Sequence, residues 1–329
     1  MAGLFVQKHA DAVHAQGVDV RVLSASGWRE LWREWKAFRR SGWIPDVVQL
    51  NVIQKQGLLA LWLKRHYHIP YIIVEHWSGY LPENGLFMRM PAFKRRLYAC
   101  IAREASVLLG VSNRLIEAMK ACGITNTDTR KINNVVDDFF FEESGVKSQE
   151  SGRKTLLHVS CFDERAKNVY GLLRAAKILS EKRQDWQLVL VGDGINYKET
   201  RAYAQELQIP ESLLCWTGEL TPREVAAWMH KADAFVLSSR YETCGIVLAE
   251  AAATGLPILS TPVGIAEEIA DLLVPQEIAQ HKPGTFAEFI ETILWNPESR
   301  IKNKDNTDSF TAQTIGKKLK AVYEQVQSR

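Results

Sequence analysis

Residues 234–261 read AFVLSSRYETCGIVLAEAAATGLPILST. An apolar β-like run, AFVLSS, leads through a polar loop at 240–244 into an Ala-rich helix that Gly245 opens and Gly255 and Pro257 close, and a second apolar run, PILST, follows. Strand, helix, strand with a short crossover is the unit of a parallel sheet. Two carboxylates mark the unit, Glu242 just outside the helix start and Glu250 inside the helix. The helix around Glu250 is almost wholly apolar and reads as buried. A buried charge is costly unless something pairs with it or hydrogen-bonds to it, so Glu250 needs a partner.

The same alternation extends in both directions. VDVRVL (18–23), DVVQL (46–50), YIIVE (71–75) and SVLLGV (106–111) alternate with helical patterns. The rhythm restarts after the polar stretch EESGVKSQESGRK (142–154) with TLLHVS (155–160) and WQLVLVG (186–192). The expected fold is α/β, two doubly wound parallel-sheet domains facing across a cleft, with ligands at the carboxyl ends of the strands. The boundaries expected are 1–141 for an N-terminal acceptor-side domain, 142–153 for a linker and 154–310 for a C-terminal nucleotide-sugar-binding domain. Residues 311–329 form a C-terminal helix that could cross back to the N-terminal domain.

Composition narrows the class. The chain has 329 residues, 46% of them hydrophobic, which suits two globular domains and excludes fibrous and disordered classes. Five scattered cysteines without a C-x-x-C pair indicate neither a disulfide framework nor a zinc site, which fits a reducing cytoplasm. No apolar run is long enough to span a bilayer, and no signal-peptide pattern opens the chain. The net charge of +3 hides an asymmetry: residues 1–135 carry 19 Lys+Arg against 10 Asp+Glu, and the remainder is net acidic. A basic half attracts an anionic membrane, a phosphorylated substrate or nucleic acid, or is simply a solvated basic surface.

The helix that Gly245 opens offers backbone amides at residues 244–246, with the helix dipole behind them. That is an anion site suited to a diphosphate. Gly245 lets a ligand approach the backbone closely, Glu242 can accept from sugar hydroxyls, and Glu250 from two ribose hydroxyls. The alternative for Glu250 is a buried salt bridge within its own domain.

Here a resemblance enters. The stretch from Glu242 to Glu250 resembles the E-x7-E signature of the retaining glycosyltransferases of family 4, which have the two-domain GT-B fold. Further segments agree in order. HVSCFDERAKNVYGLLRAAKIL (158–179) resembles the first strand, loop and helix of that family's C-terminal domain, and Lys167 matches its diphosphate-binding lysine. VGDGINY (191–197), with Gly192, resembles its Gly-rich turn, and WTGEL (216–220), with Gly218, lies near the nucleobase side. INNVVDDFF (132–140) resembles the interdomain segment, imperfectly at Asn133 and Val135, and TPVGIAEEI (261–269) the Gly-Gly-x-x-Glu turn. His76, at the end of YIIVEHWSGY (71–80), resembles the cleft histidine that contacts the donor sugar; its other reading is a loop cap. Ser112 and Asn113 in GVSNRLIEAM (110–119) are read foremost as helix caps.

Two departures accompany the resemblance. Relatives carry a Gly-Arg-Leu triplet whose arginine joins the lysine on the diphosphate, where this chain has Ser160, Cys161 and Phe162. Arg165 is either its replacement or an exposed loop arginine. The second departure lies at the start, where an apolar helix-compatible segment opens almost at Met1, with Gly3 as the remnant of a glycine turn. Either translation starts upstream, or the domain lacks its first strand.

The resemblance implies retaining transfer from a nucleotide-diphosphate sugar to a glycan or lipid-linked acceptor, with Glu242, Lys167 and His76 at the reacting centre and no metal or other cofactor. Rival readings are a degenerate or truncated sugar-nucleotide-binding subunit without turnover and a GT-B-fold epimerase or phosphorylase. By analogy, the setting is bacterial polysaccharide or glycolipid assembly, in the cytoplasm or at the inner face of the membrane. Nucleic acid is not an expected partner, because no reader motif is present. WRELWREWKAFRRSGW (28–43) sets Trp28, Leu31, Trp32, Trp35 and Phe38 on one helical face among arginines, which resembles an interfacial helix, although such a stripe is more often core-facing. FMRMPAFKRRLYACIA (87–102) is a second basic-aromatic stretch that could meet an anionic membrane.

Overall fold

The computed structural model of the chain describes residues 2–25, 27–142, 152–296 and 304–328. The chain divides into two units, Met1–Val135 with Ser309–Arg329, and Val136–Asp308. The divides therefore fall at 135 and 308 where the sequence suggests 141 and 310. Of the linker expected at 142–153, residues 143–151 lie outside the described residues.

In the first unit the order is α1 (Ala2–His14), α2 (Trp28–Arg40), β1 (Val48–Asn51), α3 (Gly57–Tyr67), β2 (Tyr71–Glu75), α4 (Ala92–Glu104), β3 (Val107–Gly110), α5 (Asn113–Ala121) and β4 (Thr129–Lys131). The four strands form one all-parallel sheet in sequential order. Every side chain of β2 and β3 is buried, as expected of strands covered on both faces. Ser112 caps α5, its Oγ accepting from the Leu115 amide at 3.1 Å.

The second unit runs β5 (Lys154–Val159), α6 (Glu164–Lys167), α7 (Val169–Lys182), β6 (Trp186–Val191), α8 (Tyr197–Glu206), β7 (Leu214–Gly218), α9 (Pro222–Lys231) and β8 (Ala234–Leu237). It continues α10 (Ile246–Ala253), β9 (Ile258–Ser260), α11 (Ala266–Ile269), β10 (Leu272–Leu273), α12 (Gln276–His281) and α13 (Pro283–Trp295). Its six parallel strands lie in the order β10-β9-β8-β5-β6-β7. The chain leaves β5 toward β6 on one side and later returns to β8 on the other. The carboxyl ends of β5 and β8 thus flank the switch point where open α/β sheets bind ligands. The last helix, α14 (Ala312–Gln327), belongs to the first unit and packs on α1. Gly316 makes this close approach possible, since a Cβ there would lie 2.2 Å from the Ala12 carbonyl oxygen.

Two expectations are corrected. VDVRVL, expected as a strand, is irregular at 18–23, and Val22 is 45% exposed. An alternating pattern becomes a strand only beside a partner edge, and in the described sheet β1 pairs with β2 alone. The second correction concerns the α10 environment. Leu248, Ala249, Ala251 and Ala252 are buried as the composition requires, but Glu250 is only half-buried.

Candidate active site

The site grows from the loop that follows β8. Ser238, fully buried, donates from Oγ to the carbonyls of Lys167 (3.0 Å) and Asn168 (3.2 Å), and the Arg240 amide donates to the Ala166 carbonyl at 2.7 Å. The end of α6 is therefore fastened through its backbone carbonyls to the β8 loop. On that footing Lys167 Nζ meets Glu242 Oε1 at 2.5 Å, and the Ser239 hydroxyl donates to the same oxygen at 2.8 Å. Two residues 75 positions apart, both expected at the site, are brought together at the switch point.

The pair is largely sheltered, with side chains 17% and 13% exposed. Burial acts to lower the Lys167 pKa, but the Glu242 carboxylate beside it outweighs that and leaves it raised. The ammonium is a fixed cation at neutral pH, and only one of its three donors is spent on Oε1. Gln276 Nε2 braces the loop from outside, donating to the carbonyls of Ser239 at 2.8 Å and Arg240 at 3.2 Å, and Thr261 Oγ1 donates to the Ser239 carbonyl at 2.6 Å.

Gly245 takes a left-handed conformation (φ 72°) directly before α10. The Cys244 carbonyl accepts from the Ile265 amide at 2.9 Å, and Gly264 lies so close that a Cβ on it would sit 2.1 Å from the Cys244 oxygen. The turn at 261–269 thus fixes the direction of the amides at residues 244–246. The first amides of a helix have no intrahelical acceptor, which gives α10 its capacity for an anion.

The neighbouring turns explain the departure at 160–162. His158 is fully buried, with Nδ1 3.0 Å from the Val236 carbonyl and Nε2 3.0 Å from Ser160 Oγ. A carbonyl can only accept, so Nδ1 carries the proton and Nε2 accepts from the serine. Burial, and to a lesser degree Lys167, lower the His158 pKa to about 4, against the raising effect of the Val236 carbonyl. Ser160 Oγ also accepts from the Phe162 amide at 3.3 Å, which holds the buried Phe162 at φ 44°. The triplet without an arginine is therefore a turn locked by His158.

Gly192 and Gly194 pack on this turn, where Cβ atoms would lie 1.9 Å from the Ser160 oxygen and 1.7 Å from the Cys161 oxygen. The need for glycine at 192 is thereby a backbone contact. Gly218, at φ 71°, has open space around its Cβ position and links to β6 through its carbonyl, which accepts from the Gly192 amide at 2.8 Å. Arg165 is exposed, its amide capped by Asp163 Oδ1 at 3.1 Å. The guanidinium that is built into this region is Arg240. It donates to the Glu164 carbonyl, to Glu164 Oε1 at 3.1 Å and to Asn168 Oδ1 at 2.8 Å. Sequence reading passes over His158, Ser160, Ser239, Arg240 and Gly264 as working residues, although all of them lie in segments whose pattern it recognises.

His76 lies in the other unit, at the end of β2. Burial and the neighbouring His9 lower its pKa to about 3, so it is neutral. Phe5 stacks on it with ring centroids 5.9 Å apart, His9 sits at 5.9 Å, and its Nε2 is buried without a hydrogen-bond partner among the described residues. Glu75, which the sequence reading passes over, builds this corner. Its fully buried carboxylate accepts from the amides of Ile53, His76 and Trp77, each at 2.9 Å, and from the Tyr80 hydroxyl at 3.3 Å. One side chain thus ties the end of β1, where Val52 holds φ 66°, to the loop that carries His76.

The model of the family described as glycosyl transferases group 1 matches residues 140–309. The alpha-monoglucosyldiacylglycerol synthase of Streptococcus pneumoniae is 25% identical over 246 residues, 69% of this chain and 55% of that protein. The N-acetyl-alpha-D-glucosaminyl L-malate synthase of Bacillus anthracis is 30% identical over 50% of this chain and 44% of its own length. The chain spans about half the length of these curated relatives. Among solved structures, the sucrose-phosphate synthase of Thermosynechococcus elongatus superposes with a TM-score of 0.76 at 18% identity, covering 99% of this chain and 93% of that one. The two parallel-sheet units are those of the GT-B fold.

Proposed function

We propose, for a chain that belongs to the group 1 glycosyl transferases, that it transfers a sugar, with retention, from a nucleotide-diphosphate sugar to a glycan or lipid-linked acceptor. The observation that carries this reading is the Lys167–Glu242 pair at the switch point beside the start of α10. The unit Val136–Asp308 holds the donor, and the basic unit takes the acceptor. The diphosphate lies against Lys167 and the amides at residues 244–246, Glu250 meets the ribose, and Glu242 holds the transferred sugar.

In the transfer, the bond between the anomeric carbon and the diphosphate oxygen breaks and its electron pair leaves with the diphosphate. The acceptor hydroxyl forms the new bond on the same face, and its proton passes to the departing phosphate. The protein's task is to stabilise charge on the leaving group, which a fixed ammonium and preorganised amides do without rearranging. The related pneumococcal protein is named for making a glucolipid, which is consistent with a lipid-linked acceptor and with action at the inner face of a membrane.

Turnover of UDP-, GDP- and ADP-sugars by the full chain, with Lys167→Ala and Glu242→Ala alongside, tests the reading. Turnover that both substitutions abolish is expected. Turnover unchanged in both refutes the assigned site, and donor binding without any turnover makes the chain a sugar-nucleotide-binding subunit.

A further inference from the structure

Of the two basic-aromatic stretches in the first unit, one is turned inward. On α2, Leu31 and Trp35 are buried against Leu59, Leu63 and Ile69, with Trp32 and Trp62 packed beside them. Leu31, Trp32 and Trp35 of the α2 stripe thus face the core, while the Trp28 side chain lies outside the described residues. The other stretch, LFMRMPAFKRR at residues 86–96, is arranged the opposite way.

Phe87 anchors it. Its ring is 1% exposed against Tyr80 and Tyr98, at centroid distances of 5.0 and 6.3 Å, and its amide donates to the Gly79 carbonyl at 2.9 Å. With Phe87 fixed inward, the residues on either side stand outward, Leu86 at 39% and Met88 at 58% exposure. Phe93, in the first turn of α4, is 68% exposed. Arg95 Nη1 reaches Met88 Sδ at 3.8 Å and ties the loop to that helix. Arg89, Lys94 and Arg96 are exposed around these apolar side chains, and the stretch contains no acidic residue. The acid just before it, Glu83, is paired with Arg114 at 2.5 Å.

Large exposed apolar side chains ringed by cations of one sign fit an anionic lipid surface. Protein interfaces, by contrast, are depleted of Lys at their cores. We propose that the surface formed by residues 86–96 docks on an anionic bilayer, with Leu86, Met88 and Phe93 entering the acyl boundary and Arg89, Lys94 and Arg96 at the headgroups. The proposal goes beyond the transferase reading and is read without a donor present, so either can fail alone.

Flotation of the full chain with vesicles of phosphatidylcholine alone, or of phosphatidylcholine with phosphatidylglycerol, tests it at low and high salt. The chain should float with the anionic vesicles only, and less so at high salt. Met88→Ser/Phe93→Ser should abolish flotation, and Arg89→Ser/Lys94→Ser should weaken partitioning on the order of 30-fold. Arg33→Ser/Lys36→Ser on α2 should float as the parent does. All these positions are exposed, and unchanged thermal unfolding shows that each variant folds. No flotation at low salt, equal flotation with neutral vesicles, or loss in the α2 variant alone overturns the proposal, as does capture of a protein at this surface without flotation.

Discussion

Lys167 and Glu242 depend on each other before any ligand arrives, and substitutions at the two positions have different consequences. Replacing Lys167 by Ala removes a charge-assisted donor to the diphosphate, so nucleotide affinity should fall by about 1.5–3 kcal/mol in calorimetric titration. Replacing Glu242 by Gln keeps the shape and leaves the lysine free to turn to phosphate. Nucleotide binding should then hold or tighten while sugar transfer drops by roughly 100-fold or more. A Glu242→Gln enzyme with parental turnover would remove that carboxylate from the transferred sugar. The two partners were legible in the sequence because each sits in a patterned segment at a strand end. Their contact was not, since it depends on β5 and β8 being neighbours. The glycine at 192 was legible as a turn residue, and its φ of 124° agrees, but half of its reason was not. Sequence shows a turn, and only coordinates show the Ser160 carbonyl occupying the space of its missing side chain.

At the scale of elements, the helix start at α10 is held by a turn twenty residues on. A methyl group at Gly264 must displace the Cys244 carbonyl, and it also puts a side chain on φ 55°. Gly264→Ala should therefore weaken nucleotide binding by moving the amides at residues 244–246, although residue 264 makes no contact with a ligand in this account. Thermal-shift titration with the nucleotide measures it, and an unchanged shift would dissociate the two turns. In the other unit, Glu75→Ala leaves the amides of Ile53, His76 and Trp77 without their acceptor in a buried corner. A loss of at least about 3 kcal/mol is expected in urea unfolding, with Glu75→Gln recovering part of it. Neither device could be read from the chain. Glu75 looked like the end of a strand because one of its four donors, the Ile53 amide, comes from a segment 22 residues away. The strand expected at 18–23 failed for the reverse reason, a good local pattern without a partner edge.

For the whole molecule, three buried neutral histidines link stability to pH. Burial lowers His9 and His158 to about 4 and His76 to about 3, against an ordinary 6.5. The folded state refuses protons that the unfolded chain accepts. The stabilisation is therefore complete above pH 6.5 and is lost as pH falls from there toward 3–4, by up to about 1.4 kcal/mol per histidine per pH unit. Urea unfolding at pH 7.5 and pH 5 should show the loss in both units, and equal stability at the two values would contradict it. The alternation of strands and helices made two α/β units legible from sequence. A last helix over 311–329 crossing back is among the expectations, but the close approach of Gly316 to Ala12 across 304 residues is encoded by no local pattern. The central claim is that the Val136–Asp308 unit holds a nucleotide diphosphate through Lys167. Calorimetric titration of the full chain and of Lys167→Ala with UDP, GDP and ADP tests it most directly. The account predicts that at least one of the three binds the parent chain and binds the variant at least tenfold more weakly. Equal affinity for parent and variant, or no binding of any of the three to the parent, would contradict it.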